Sequence, residues 1–339
     1  MAIRTGIIGT GFGAQVHGPV LKRHPEYELV AISSIRPGRA QAAAERLGLS
    51  QAYQDWRRMI AEARLDLAVI ASEPSLHSEM SLACLEAGLH VLCEKPPALN
   101  ADQASAMHCA ARRAGRIAAI NFEWRFSPER QAIKRILDAG KLGALYHVDW
   151  AEAWPLRPQK RKARSEWETV SGKGGGMLGA VGSHMIDALQ YWFGPMKLYH
   201  GFTARESIPG PEGADDSFFV HGIWPDGGSF ALQFIASSTI RPARLEIHGS
   251  GGTLLLHDKQ LTFASSGSSG YKAVPVEQPL DARLFAPEIR GYIHAQWSLY
   301  GELARAIRGE EAPALPAFED GVRVQRVMDT INRPWSEAE

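Results

Sequence analysis

The chain has 339 residues, enough for about two domains on the usual size prior. Its 45% hydrophobic share suits a globular protein with a large core, and 37 basic residues balance 37 acidic ones, which gives no support for a nucleic-acid or anionic-membrane partner. No apolar run reaches the roughly 18 residues of a bilayer span, the first residues form no basic and apolar leader, and Cys84, Cys93 and Cys109 show no metal spacing and fit a reducing, cytoplasmic setting.

The first element is a short apolar strand, Ile3 to Ile8, which runs into Gly9-Thr10-Gly11-Phe12-Gly13-Ala14 and then a helix-like run. Gly9, Gly11 and Ala14 fit the pattern G-x-G-x-x-[GA]. The first glycine permits a tight turn, the second lets backbone approach a pyrophosphate, and the small third residue lets helix pack closely on strand. The helix N-terminus then offers free N–H groups to phosphate. A glycine turn of any α/β protein is the competing reading, but the position after a strand and before a helix favours a nucleotide site made by residues 9–14.

The second strand is Tyr27 to Ser34. An NAD-binding unit closes this strand with an acidic residue that holds the ribose hydroxyls. Here Ser34 stands at that place, with Arg36 and Arg39 beyond it. A carboxylate repels a 2′-phosphate, whereas a guanidinium binds it with a charged fork. The expectation is therefore NADP in preference to NAD. The competing reading is that both arginines merely face water.

Helices are expected at Arg39–Leu47, Trp56–Ala63, Ser78–Ala87 and Ala101–Ala114. Strands are expected at Asp66–Ala71, His90–Cys93 and Ile117–Asn121, with Ser72 to His77 as a loop. Continuous apolar strands alternating with helices predict a doubly wound parallel sheet, a Rossmann-type α/β domain over residues 1–122. Ligands of such sheets lie beyond the carboxyl ends of the strands. Ser34, Ala71, Ser72, Pro74, His77, Glu94, Lys95 and Asn121 all fall there and join residues 9–14 as cofactor-binding candidates.

From residue 123 the pattern changes to α+β. Pro128–Ala139 reads as an amphipathic helix, Gly143–Trp154 as a half-buried strand, and residues 155–172 as a basic loop near the active-site mouth. Gly174-Gly175-Gly176 opens a helix to about Phe193. Strands near 197–206, 217–224, 228–236, 242–248, 252–257 and 260–264 predict one large, mostly antiparallel open sheet. Its far face is expected to pair subunits into a homodimer or homotetramer. Trp150, Trp154, Phe218, Phe230 and Phe234 are candidates for that surface, with core packing the stronger use of each. Two helices near 288–308 and 319–332 finish the chain and are expected to pack back on the first domain. No metal site is expected.

Two residues stand out chemically. Lys95 closes a buried strand beside Glu94, and Pro96-Pro97 argue for a fixed geometry there. His184 falls on the border of the apolar face of its helix, with Asp187 in reach to orient its ring. The glycines around it keep the helix slim and leave room for a ligand. The competing readings are a surface lysine and a histidine–aspartate pair kept for stability.

The glycine turn, the run from Leu85 through His90-Val91-Leu92-Cys93-Glu94-Lys95-Pro96, and Gly174-Gly175-Gly176 leading to Gly182-Ser183-His184 and Asp187 resemble the Gfo/Idh/MocA oxidoreductase family over nearly the whole chain. The resemblance extends to the last helix, from Phe318 to Arg326. It implies hydride exchange between NAD(P) and a hydroxyl or keto carbon of a sugar, sugar derivative or cyclitol. It further implies that Lys95 polarises the reacting oxygen and that His184 is the base for oxidation and the acid for reduction. Many members carry an aspartate four residues before the histidine; this chain has Ala180. Asp187 or Glu123 is expected to supply the missing carboxylate, and Arg125 and Lys173 to hold substrate, with an interdomain ion pair as the alternative use. A non-catalytic dinucleotide sensor and a nicotinamide-dependent glycosidase are the competing functions.

Overall fold

The structure, a computed structural model, describes residues 1–155, 166–205 and 213–332. Most of the expected 155–172 loop and the end of the 197–206 strand lie outside the described residues.

The chain opens with β1 (Ile3–Ile8), a π-helical turn at Gly13–His17 and α1 (Gly18–Leu21). There follow β2 (Tyr27–Ser33), α2 (Arg39–Leu47), β3 (Gln51–Tyr53), α3 (Trp56–Glu62), β4 (Leu67–Ile70), α4 (His77–Glu86), β5 (His90–Cys93), α5 (Ala101–Ala114) and β6 (Ala118–Ile120). The six strands form one sheet in the order β3-β2-β1-β4-β5-β6, and every neighbouring pair is parallel. All four residues of β4 are buried, as a strand covered on both faces requires. The three-residue β3 was not expected from the sequence; it is too short to carry a period.

The second half begins with α6 (Pro128–Asp138), β7 (Leu145–Ala153) and α7 (Ser183–Phe193). The strands β8 (Leu198–Ala204), β9 (Ser217–Ile223), β10 (Ser229–Ile235), β11 (Ala243–Gly249), β12 (Gly252–His257), β13 (Gln260–Ser265) and β14 (Lys272–Ala273) follow. Their sheet runs β14-β13-β12-β11-β7-β10-β9-β8. Among the described residues only the β7–β10 pairing is parallel, so the sheet is mostly antiparallel.

Strand alternation decides which face of this sheet is covered. Val148, Trp150, Phe218, Val220, Phe230, Leu232 and Phe234 point to one face and are buried. The Trp150 and Trp192 rings stack at 6.2 Å, which sets α7 against that face. A Cβ on Gly182 would meet Leu178 Cδ1 at 2.8 Å and Phe218 at 3.1 Å, so glycine eases this close approach at the start of α7. Of the five aromatic residues considered for subunit pairing, Trp150, Phe218, Phe230 and Phe234 are core. The opposite face presents Leu198, Phe202 and Ile223 to solvent.

Two long helices end the chain, α8 (Arg290–Ile307) and α9 (Phe318–Ile331). Ile293, Leu299, Tyr300 and Leu303 of α8 are fully buried in the same core as Ile7, Leu21, Tyr27 and Ile32. The chain therefore divides into a first unit of Met1–Phe126 with Pro279–Gln325 and a second unit made of the rest. A single cut at 122 follows chain order, but the apolar face of α8 is buried with the first sheet.

Candidate active site

Within the first unit, the glycine turn lies where three strands end. Gly9 N donates to Ser33 O at 2.9 Å, and Ala71 N donates to Ile8 O at 2.8 Å. Gly9 has φ +119°, and a Cβ there would stand 2.1 Å from Ala71 O, so no other residue fits. A Cβ on Gly13 would meet Ile7 Cγ2 at 2.7 Å, so Gly13 brings the helix onto β1 together with the buried Ala14. At Gly11 a Cβ would meet nothing within 4 Å. That open backbone, followed by the first turn of a helix with its unsatisfied N–H groups, fits a pyrophosphate. The Phe12 ring instead packs edge-on against His17 and Tyr292, each at 5.3 Å.

Past β2, Thr10 Oγ1 lies 3.5 Å from Ser34 Oγ, and Arg36 N donates to the same oxygen at 3.3 Å. Arg36 and Arg39 are exposed.

The other strand ends converge on Glu94, which is 8% exposed. Its Oε1 accepts from His17 Nε2 at 2.8 Å and from Asn121 Nδ2 at 2.6 Å, and its Oε2 accepts from Lys95 N at 3.2 Å. Burial pushes the carboxyl pKa up, but the His17 hydrogen bond, the Lys95 charge and the Asn121 bond outweigh it, and the net shift is downward. Glu94 is thus held ionised beside Lys95, itself half-buried and joined to Pro96 by a cis bond. His77 fastens the same turn. Burial lowers its pKa, so the ring is neutral with one N–H to give. Its Nδ1 lies 2.9 Å from Pro96 O and its Nε2 3.3 Å from Ser72 O, and the shorter contact is the hydrogen bond. Pro74 is buried in the 3-10 turn that leads to His77.

Asn121 is fully buried and its Oδ1 has no hydrogen-bond partner. A buried acceptor of this kind needs a donor, and a carboxamide N–H supplies one. Open backbone at Gly11 and this oxygen are the two observations on which a nicotinamide dinucleotide fits the site.

In the second unit, Gly175 and Gly176 have a steric use besides the ligand space expected of the glycines there. A Cβ on Gly175 would stand 2.4 Å from Trp167 O, and one on Gly176, at φ +117°, 2.0 Å from Asp215 Oδ1. Asp215 Oδ2 accepts from Leu178 N at 2.8 Å and so caps the π-helical turn Leu178–Gly182 that feeds α7. His184 is 2% exposed and Asp187 1%, both deeper than the half-buried position expected from the helix face. Ala180 and Lys173 are half-buried.

One expected substrate residue has another use. Arg125 is 3% exposed, and its guanidinium pairs with Asp320 Oδ2 at 3.3 Å and reaches Ala314 O at 3.4 Å. The assignment of Arg125 to substrate is therefore corrected to an ion pair within the first unit. Glu123 is buried in the same 3-10 turn, Glu123–Phe126. Among the described residues, no three His, Cys, Asp or Glu side chains group as a metal site, and no helix is long and apolar enough to cross a membrane. Sequence reasoning missed His17, Tyr300 and Asp215; only His17, one turn past the glycines, carried a local signal.

Comparison with known proteins shows the family and the fold. Residues 3–122 match a family model described as oxidoreductase family, NAD-binding Rossmann fold, and residues 134–337 match its C-terminal alpha/beta domain. D-glucoside 3-dehydrogenase of Escherichia coli (strain K12) is 35% identical over 257 residues, covering 74% of this chain and 68% of that protein. The scyllo-inositol 2-dehydrogenase (NADP(+)) of Bacillus subtilis (strain 168) is 27% identical over 349 residues, covering 96% of this chain and 92% of that one. The solved complex of levoglucosan dehydrogenase with NADH superposes with a TM-score of 0.86 at 22% identity, over 98% of this chain and 96% of that one, which shows the shared fold.

The cap on the helix of His184 makes a measurable prediction. Burial, with repulsion from Asp216 as a lesser contribution, raises the Asp215 pKa from 3.8 to about 6. A carboxyl raised on folding favours the folded state most below its unfolded pKa, and that contribution is lost as pH climbs through the folded value. Between pH 4 and pH 7 the wild type should therefore lose about 1–3 kcal/mol that Asp215→Asn does not lose. Urea midpoints of both proteins at the two pH values check this; parallel changes in the two would reject it.

Proposed function

The chain belongs to the Gfo/Idh/MocA oxidoreductase family, and from that premise we propose that it moves a hydride between a nicotinamide cofactor and a CH–OH or keto carbon of a sugar, sugar derivative or cyclitol. The observation that carries the reading is the turn at the end of β5, where buried, ionised Glu94 flanks Lys95 next to the Asn121 oxygen that lacks a donor. The relatives act on substrates of this class by name: a D-glucoside, scyllo-inositol and levoglucosan.

Gly9 to Ala14 cradle the pyrophosphate, Ala71, Ser72, Pro74 and His77 wall the dinucleotide, and Asn121 receives the carboxamide. The bound nicotinamide supplies or accepts the hydride. Lys95 holds its ammonium at the reacting oxygen, which carries negative charge once the hydroxyl proton has left in oxidation and gains it as the C–H bond forms in reduction. His184 takes the hydroxyl proton in oxidation and returns it in reduction. Asp187 or Glu123 takes the part of the acid missing at Ala180, and Lys173 holds substrate hydroxyls. Lys95→Met and His184→Ala should each lower kcat at least about 100-fold, the usual loss for an acid–base group. NAD(P)H binding should persist in both. The assay is nicotinamide absorbance across a panel of sugars, sugar acids and inositols; near-normal turnover in either variant removes that residue from the mechanism.

The cofactor preference is NADP over NAD. Ser34 leaves no carboxylate at the end of β2, and exposed Arg36 and Arg39 supply the charge for a 2′-phosphate. Arg36→Ala should weaken NADPH binding about tenfold and NADH binding hardly at all, as loss of one charge-assisted contact requires. Equal losses for both, measured by fluorescence titration, reject the preference.

The open face of the second sheet pairs copies of the chain into a homodimer or homotetramer. Leu198, Phe202 and Ile223 give it exposed apolar surface, and the Phe202 and Phe219 rings stack at 5.0 Å. A reducing, cytoplasmic setting suits the buried thiols of Cys84 and Cys93. Light scattering should find an oligomer for the wild type and a smaller species for Phe202→Glu; a monomeric wild type rejects the interface.

A further inference from the structure

The buried carboxylate beside Lys95 is served by a chain of groups from three separate parts of the sequence. His17 is fully buried, with Nε2 2.8 Å from Glu94 Oε1 and Nδ1 2.7 Å from the Tyr300 hydroxyl. Tyr300 lies on α8, 283 residues from His17. Its hydroxyl sits on a fully buried ring, and burial drives the phenol pKa well up, so it keeps its proton. A buried O–H needs an acceptor, and His17 Nδ1 is the one the structure gives it. The proton of the imidazole is then on Nε2, from which it donates to Glu94. The main-chain carbonyl of Tyr300 accepts from Tyr27 Oη at 2.7 Å, and that bond fixes the turn of α8 that carries the phenol.

We propose that Tyr300 and His17 are positioning residues of the hydride-transfer centre: a one-way chain, Tyr300 O–H to His17 Nδ1 and His17 Nε2–H to Glu94, holds the carboxylate that fixes the Lys95 turn. The proposal rests on the oxidoreductase reading above. The direction of the chain matters. With the proton on Nδ1, the lone pair of Nε2 would face a carboxylate oxygen, and Glu94 would lose a hydrogen bond in a site where water cannot replace it. Glu94 would then be held by Asn121 and Lys95 N alone, and the Lys95 turn less firmly fixed. His17 also follows directly on the glycine turn and its ring packs on Phe12 at 5.3 Å. The same imidazole therefore touches both the pyrophosphate loop and the nicotinamide end of the site.

Tyr300→Phe removes the hydroxyl and keeps the ring that packs on Tyr27 and His17. Nitrogen-15 spectra of the histidine rings should show His17 as the Nε2–H tautomer in the wild type and as a mixture in Tyr300→Phe. The variant should lose about tenfold in kcat, the scale of one buried hydrogen bond, while its NAD(P)H dissociation constant stays within about twofold. His17→Gln, whose amide still donates to Glu94, should keep at least about ten times the kcat of His17→Met, which donates nothing. An imidazolium or an Nδ1–H tautomer at His17 in the wild type overturns the proposal, as does a Tyr300→Phe enzyme with wild-type kcat. Loss of kcat with an equal loss of cofactor affinity and folded signal also overturns it, since that is a structural role alone. A wild type that turns over no sugar or cyclitol removes the oxidoreductase reading and the chain's role together; an active wild type indifferent to Tyr300→Phe removes the chain only.

Discussion

A carboxylate taken out of water costs several kcal/mol unless hydrogen bonds replace its solvent. Glu94 meets that constraint at the carboxyl end of β5, and much of the first unit is arranged to satisfy it. His17 reaches it from the helix after the glycine turn, and Asn121 from the end of β6. Tyr300 secures His17 from a helix late in the chain. Leu67–Ile70 and Val91-Leu92-Cys93 are continuous apolar runs, fully buried, so the sheet itself is held by burial and needs none of these polar groups. The polar cluster instead costs desolvation and gives orientation in return. That balance is common where a charged group must be held still for chemistry.

The same sheet end explains why one turn carries so many roles. Parallel strands finish together on one side, and the loops that follow β1, β2, β4, β5 and β6 share that edge. The edge offers backbone without side chains at Gly11, an unmet acceptor at Asn121 and a lysine held by its own main chain. In the second unit, His184 lies on a helix whose start is pinned by Asp215 rather than by glycine flexibility. Gly175 and Gly176 are required because other chain segments occupy the space of their Cβ atoms.

Much of this was legible in the sequence. The α/β class, the Rossmann sheet and the mostly antiparallel second sheet follow from apolar runs and turn residues, which act over a few neighbours. The glycine turn was legible because φ and close approach at Gly9 admit only one residue type. What was not legible depends on contacts far apart in the chain. Arg125 reads as a cleft cation until Asp320, 195 residues later, is seen to bind it. The Phe12 ring sits in a phosphate-binding pattern, yet its partner is Tyr292. The short β3 and β14 leave too few residues for any periodicity. The aromatic residues of β7, β9 and β10 could be assigned to core or surface only after the sheet register was known.

The most direct test of the central claim is a crystal structure of the protein with NADPH bound. The account predicts the pyrophosphate against the backbone of Gly11 to Gly13, a carboxamide N–H within hydrogen-bond reach of Asn121 Oδ1, and Glu94 still bonded to His17. A carboxamide seated elsewhere, with Glu94 turned away from His17, would contradict it.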